Sequence, residues 1–346
     1  MGTLPCTEDL AHAVEVVGAE AWRALSGQRI FLTGGTGFIG KWLIAVWQYA
    51  DRQLALGSEL VVLSRDPAAF LEAEPHFAGV RGLTLVRGDV RHFDFPSGSF
   101  ARVIHAAADV VAPSTPLETF STSIDGTRRV LDFALSCGAK QFLLLSSGAV
   151  YGRQPPELAS VSESYMGAPD IASPGSAYGE GKRVAEWLTQ VICRSHDIHF
   201  SIARCFAFVG PYLALDKQFA AGNFLRDAMV RREIVVQGDG TPYRTYLYAA
   251  DMAAWLWAMQ LRAASGAVYN VGSPEAISIG NLAHKVNQVL GSPAGVRIIQ
   301  SPRPDRPAER YVPNVDLIVK ELGLQHPIPL DDALERTARW HQQTCR

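Results

Sequence analysis

Eight residues, Thr33-Gly34-Gly35-Thr36-Gly37-Phe38-Ile39-Gly40, constrain this chain more than any other stretch. They follow the apolar run Arg29–Thr33, which reads as a buried strand, and lead into a helical pattern near Gly40–Tyr49. Gly34, Gly37 and Gly40 form a G-x-x-G-x-x-G array at that junction. Glycine permits the tight turn, and its missing side chain lets backbone approach an anion closely. The unpaired amides and positive dipole end of the following helix then favour phosphate. In isolation such an array marks only a turn. Between a strand and a helix it predicts a site for a dinucleotide's pyrophosphate, with Gly34, Thr36, Gly37, Phe38, Ile39 and Gly40 in contact.

The rest of the chain alternates in the same way. Glu59–Leu63, Leu83–Arg87, Arg102–His105, Gln141–Ser146 and His199–Arg204 read as strands, and Ser123–Ser136 and Ala177–Ser195 as helices. Continuous apolar strands separated by helices imply a parallel sheet covered on both faces, and right-handed crossovers make it doubly wound. The predicted fold is α/β: a doubly wound parallel Rossmann sheet over 29–206, with late strand elements around 240–275. A smaller C-terminal lobe over 207–346 interleaves with it. There the turn-rich breaks Gly210-Pro211-Tyr212, Gly238-Asp239-Gly240-Thr241-Pro242 and Ser301-Pro302-Arg303-Pro304 separate helices near Phe219–Arg231, Asp251–Leu261, Ile279–Val289 and Leu330–Gln343. Leu10, Val14, Val17, Trp22 and Leu25, at helical spacing before Gly27, predict an N-terminal helical extension over 1–28.

Composition narrows the function classes. In 346 residues, 48% are hydrophobic, ample for a buried core, and the formal charge of −2 provides no basic stripe for nucleic acid. No apolar run is long enough to span a membrane, and Glu8 and Asp9 argue against a signal peptide. Cys6, Cys137, Cys193, Cys205 and Cys345 lack metal-ligand or disulfide spacing, which points to reduced thiols, a cytoplasmic protein and no metal.

The second strand normally presents the residue that reads the adenosine ribose. A carboxylate there selects NAD, whereas a small polar residue with arginine admits the 2′-phosphate of NADP. Leu60-Val61-Val62-Leu63 runs into Ser64-Arg65-Asp66, so a strand ending at Leu63 places Ser64 and Arg65 at the ribose and favours NADP. A register two residues later brings in Asp66 and favours NAD, and Arg65 also fits a plain surface charge. Asp89, with Val90 after the third strand, is a candidate for the adenine amino group, or simply part of a turn.

Tyr178 and Lys182 are four apart and therefore neighbours on one helix face. Val184, Leu188, Val191 and Ile192 read as the core-facing stripe on the opposite side. Such a Tyr–Lys pair is ordinarily a solvated face, but Ser147 ends the preceding strand at the carboxyl edge, where open α/β sheets build their sites. Together they are a catalytic set for hydride transfer between alcohol and ketone. An ammonium ~4 Å from the phenol at an effective dielectric near ~20 is worth roughly 4 kcal/mol, enough to bring Tyr178 toward neutrality. Tyr178 would then exchange the proton and Ser147 would orient the reacting oxygen.

These motifs, with His105-Ala106-Ala107, Ser146–Gly152, Arg204–Pro211 and Gly238–Asp251, resemble the extended short-chain dehydrogenase/reductase superfamily, in particular its nucleotide-sugar epimerases, dehydratases and reductases. The resemblance implies an NAD(P)-binding domain, a nucleoside-diphosphate sugar substrate and homodimerisation through the helix bearing Tyr178. By it, Ser147 matches the catalytic Ser/Thr, Tyr178 the acid/base, Lys182 the lysine that also bonds the nicotinamide ribose, and Ala106 and Ala107 the cofactor-lining segment. Asn223 and Arg244 match residues that contact and clamp the substrate diphosphate, with Arg303 or Arg306 as a second clamp or as solvated loop charges. Ser123 and Ala207 stand where the family carries asparagines. Dehydratases of this kind place Asp-Glu after the catalytic Ser/Thr, and sugar-acid decarboxylases a Glu in this loop, where this chain has Gly148 and Ala149. The expectation is an NADPH-dependent 4-keto-sugar reductase, with an NAD-dependent epimerase as the alternative and a non-catalytic NADP-binding scaffold or sensor as a remote third.

Overall fold

The computed structural model describes residues 3–108, 115–217, 219–303, 305, 307–324 and 327–344. Six strands follow the predicted order: β1 Arg29–Thr33, β2 Glu59–Ser64, β3 Leu83–Arg87, β4 Arg102–His105, β5 Gln141–Ser147 and β6 His199–Cys205. A seventh, Ala267–Val271, pairs with β6. From that edge the order is seventh strand, β6, β5, β4, β1, β2, β3, with every pairing parallel. The direction of winding reverses between β4 and β1, and this opens a crevice at their carboxyl ends.

Helices cover both faces. α1 is Thr7–Val17, α2 Ala19–Arg23, α3 Phe38–Leu54, α4 Pro67–Ala73, α5 Pro116–Ser136 and α6 Ala177–Ser195. α7 Ala220–Met229, α8 Ala249–Arg262, α9 Ile279–Val289, α10 Asp316–Leu322 and α11 Leu330–Thr344 follow. Phe31, Phe93, Phe100 and Phe133 form an aromatic cluster under one face. Trp22, Trp42, Trp47 and Trp257 lie in the larger core on the other. α8 is buried on every side from Ala249 to Gln260 and largely apolar, so it needs cover on its outer side as well as from the sheet. α1 provides that cover. The Tyr248 hydroxyl donates to Asp9 at 2.5 Å, and His12 Nε2 and Asp251 Oδ1 lie 2.7 Å apart.

Several boundaries and one buried face differ from the sequence expectation, the following for local reasons. The N-terminal helix breaks in two at Gly18, whose φ of +89° no helix accommodates. α5 begins at Pro116 rather than Ser123, because Thr115 and Glu118 form a reciprocal capping box ahead of it. β2 extends one residue to Ser64, which pairs with Arg87. The fully buried face of α6 is Lys182, Ala185, Glu186, Thr189 and Cys193; of the expected stripe, Leu188 and Ile192 pack half-buried against the core and Val191 does not. That face tolerates polar groups because the sheet edge beneath supplies them with hydrogen-bond partners. Val191 and Trp187 face outward instead.

Candidate active site

The glycine loop lies in the crevice between β1 and β4. Gly34 has φ +72°, and a Cβ there would sit 2.5 Å from the Ala106 carbonyl carbon and 2.6 Å from the Ala107 amide nitrogen. A Cβ on Gly40 would meet the Gly34 carbonyl at 2.2 Å. The loop, α3 and the Ala106-Ala107 segment therefore close on one another only because both positions lack a side chain. Gly37 is different: it is exposed, and its nearest such neighbour is the Gly34 carbonyl at 3.4 Å. As N-cap of α3 it makes no side-chain cap, and the first turn holds no acid. The leading amides of a long helix are thus left to an anion, an arrangement that fits a dinucleotide's pyrophosphate. Thr36, Phe38 and Ile39 flank this opening, half-buried.

His105 braces the floor of the crevice. Its Nδ1 lies 2.7 Å from Thr33 Oγ1 and its Nε2 3.0 Å from Thr127 Oγ1, while the Ala107 amide donates to Thr33 Oγ1. Burial pushes its pKa down to about 3. Toward the adenosine end, Ser64 closes β2 and is buried, whereas Arg65 is exposed beyond it. Asp66 accepts the Ala69 amide and caps α4, so its carboxylate is already engaged. Asp89 is held by both the amide and the guanidinium of Arg91, which bring its pKa down to about 2. Val90 is buried under Gly126 of α5.

Ser147, Tyr178 and Lys182 converge. Ser147 ends β5, and its hydroxyl accepts the Ala149 amide at 3.1 Å and lies near enough to the Tyr178 phenol to lower its pKa. Two glycines inside α6 make this approach possible. A Cβ on Gly179 would meet the Ala149 carbonyl at 2.7 Å, and one on Gly181 would meet Ser123 Cβ at 2.8 Å. Glycine in a helix interior costs about 1 kcal/mol against alanine. Here that cost is the condition for α6 to sit against the turn after β5 and against α5.

The electrostatics differ from the sequence expectation. Burial pushes the Tyr178 phenol up to about 12, with only the Ser147 bond opposing it. Lys182 is 2% exposed and donates to the Leu145 carbonyl at 2.7 Å. Its Nζ stands 6.0 Å from the Tyr178 ring centre, and desolvation brings its pKa down to about 8. Desolvation outweighs the attraction that was expected to draw Tyr178 toward neutrality. Tyr178 therefore rests as a neutral phenol, a proton donor. Beneath the trio, Glu186 accepts from Ser146 and from Arg204, and Arg204 also donates to the Tyr151 hydroxyl. This network locks the ends of β5 and β6 to α6.

The substrate candidates are less closely gathered. Arg244 lies half-buried on the short strand Tyr243–Arg244 and donates to the Tyr243 carbonyl. Asn223, in α7, donates to the Lys217 carbonyl and accepts from Arg226. Arg303 is exposed, and Arg306 lies outside the described residues. Two residues of the same segment were missed by sequence reasoning. Arg310 stacks on Tyr243 with its guanidinium 4.4 Å from the ring centre. Tyr311 places its hydroxyl 3.5 Å from Ser147 Oγ. The only signal for either was the apolar run that follows a loop rich in proline and arginine. Among the described residues no group of His, Cys, Asp or Glu could hold a metal ion, and no helix is long and apolar enough to cross a membrane.

Comparison with known proteins agrees with this architecture. The family model described as "NAD dependent epimerase/dehydratase family" matches residues 30–272, and the chain belongs to that family. It is similar to UDP-glucuronic acid decarboxylase 1 of Xenopus tropicalis, 27% identical over 319 residues, covering 91% of this chain and 72% of the relative. UDP-glucuronic acid decarboxylase 6 of Arabidopsis thaliana is 29% identical over 311 residues, covering 89% and 87%. In fold it is similar to UDP-glucose 4-epimerase of Thermotoga maritima with UDP-glucose, at a TM-score of 0.76, 20% identity and 92% and 100% coverage. A dTDP-glucose 4,6-dehydratase of Bacillus anthracis in complex with NAD gives 0.74, 18%, and 91% and 97%.

Proposed function

We propose, from membership of that family and the chemistry around Ser147, that the chain is an NADP(H)-dependent reductase of a nucleoside-diphosphate 4-keto sugar. The observation that carries this reading is the want of an acid beside Ser147. Gly148 and Ala149 follow it, and a Cβ at 148 would meet Phe206 Cζ at 2.6 Å and the Tyr311 hydroxyl at 2.7 Å. The dehydratases and decarboxylases that this chain resembles are expected to carry a further acid in this loop, so the activity named for the decarboxylase relatives is not carried over to this chain. Ketone reduction needs only a hydride and a proton.

When bound, the nicotinamide supplies the hydride. The protein's part is to hold the substrate carbonyl against Ser147 and to deliver the Tyr178 proton as the alkoxide forms. Lys182, charged below about pH 8, would stabilise that negative charge and bond the nicotinamide ribose. Ser64 and Arg65 would take the 2′-phosphate, since Asp66 is committed to its cap. Asp89 and Val90 would border the adenine. Arg244 and Asn223 would bind the diphosphate, with Arg303, Arg306 or Arg310 as the second cation. An NAD-dependent epimerase, favoured by the epimerases and NAD complexes among the structural neighbours, is the competing reading, because the same trio serves oxidation and reduction.

The outer face of α5 and α6 carries Leu117 at 80% exposure, Trp187 at 61%, and Phe120 and Val191. Such an apolar patch suits pairing with a second copy of the chain. Unpaired thiols at Cys137, Cys193 and Cys205 suit a reducing cytoplasm. The test of function is to identify any nucleotide retained through purification and to supply UDP-, dTDP-, GDP- and CDP-linked 4-keto sugars with NADPH. Net NADPH consumption with alcohol formation is expected. Tightly held NAD with no consumption, and interconversion of sugar epimers instead, would overturn the reductase reading.

A further inference from the structure

We propose that Tyr311 is a third catalytic hydroxyl, donating a hydrogen bond to the same substrate oxygen that Ser147 and Tyr178 engage. The inference rests on the reading that this trio handles a sugar carbonyl, and it holds for reductase and epimerase alike.

The backbone places Tyr311 firmly. Its amide donates to the Tyr243 carbonyl at 3.1 Å, and the next residue, Val312, accepts from Val161 and donates to Gln154 Oε1, each at 2.9 Å. The segment is thereby tied both to the strand bearing Arg244 and to the loop after β5. The ring packs on Phe206 with centroids 4.6 Å apart, which points the hydroxyl at the end of β5. There it lies 3.5 Å from Ser147 Oγ and 3.5 Å from the Cys205 carbonyl.

Both contacts are long, since a hydroxyl donor ordinarily sits about 2.5–3.0 Å from its acceptor. A sheltered phenol held this loosely retains most of its capacity to donate, and an acceptor arriving between it and Ser147 would satisfy it. Gly148 belongs to the same arrangement. A side chain there would occupy the place of the Tyr311 hydroxyl, which a Cβ would approach to 2.7 Å. A phenol thus stands where related enzymes are expected to carry an acid. Burial pushes its pKa well above the ordinary tyrosine range, so it donates without giving up its proton. During reduction the hydride adds to the carbonyl carbon and the Tyr178 proton goes to the oxygen. Tyr311 keeps its own proton and steadies the charge that builds between those events.

The test uses the full chain with the turned-over nucleotide sugar and NADPH. Tyr311→Phe is expected to lower kcat by about 10²-fold while changing KM by less than about threefold, the pattern of a bond made in the transition state. The thermal midpoint and NADPH affinity should match the wild type. Gly148→Ala, which pushes the hydroxyl aside, should lower kcat in the same direction. If the wild type reduces or epimerises a sugar and Tyr311→Phe matches its kcat, the inference fails alone. A loss confined to KM or to stability would also overturn it, since that marks packing. If the wild type turns over no nucleotide sugar, the underlying reading of the trio fails and takes this inference with it.

Discussion

Replacing Lys182 by methionine should stabilise the protein while disabling it, and the size of the effect follows from the site. The amine is 2% exposed, and desolvation brings its pKa from 10.5 to about 8. Each pH unit of such a change corresponds to about 1.4 kcal/mol, so holding the ammonium in place costs the native state roughly 3 kcal/mol. Between about pH 8 and 10.5 the unfolded chain keeps a proton that the native chain has released, and stability therefore rises with pH across that window. The cost is present in full below pH 8 and gone above 10.5. Methionine removes it and gives up the bond to the Leu145 carbonyl, worth about 1 kcal/mol. Lys182→Met is expected to exceed the wild type by about 2 kcal/mol at pH 7, with the advantage vanishing toward about pH 10. Urea unfolding of both proteins at three values across that range measures it. A variant less stable than the wild type at neutral pH, by a margin indifferent to pH, would refute the claim that desolvation dominates at this lysine.

Four further outcomes are expected. Reductase activity should fall as pH rises through about 8, where Lys182 loses its charge, and a pH–rate profile flat to pH 9.5 would contradict that role. Gly40→Ala forces a Cβ to within 2.2 Å of backbone and should cost about 1–3 kcal/mol or more in thermal unfolding. Gly37→Ala, with 3.4 Å of clearance, should fold normally and weaken dinucleotide binding in a fluorescence titration. Arg65→Ala should reduce the preference for NADP over NAD by about 10-fold or more, as befits one charge-assisted hydrogen bond, and an unchanged ratio of the two affinities would remove Arg65 from the ribose site.

Read from sequence alone, the glycine turn between strand and helix and the shared helix face of Tyr178 and Lys182 were legible because each is local. Strand, loop and helix are adjacent in the chain, and residues four apart share a helix face whatever the rest of the protein does. The parallel sheet was legible for the same reason, as uninterrupted apolar runs between helices. Which face of α6 is buried was decided only by the fold. Gly179 and Gly181 bring that helix against Ala149 and Ser123, and the resulting desolvation raises Tyr178 and lowers Lys182. Tyr311 lies 164 residues from Ser147 and meets it through pairing with Tyr243 and Val161, contacts that leave no periodic trace. Spacing along a chain determines which groups can share a face. Proximity across it, and the dielectric each group then experiences, arise only when distant segments pack together.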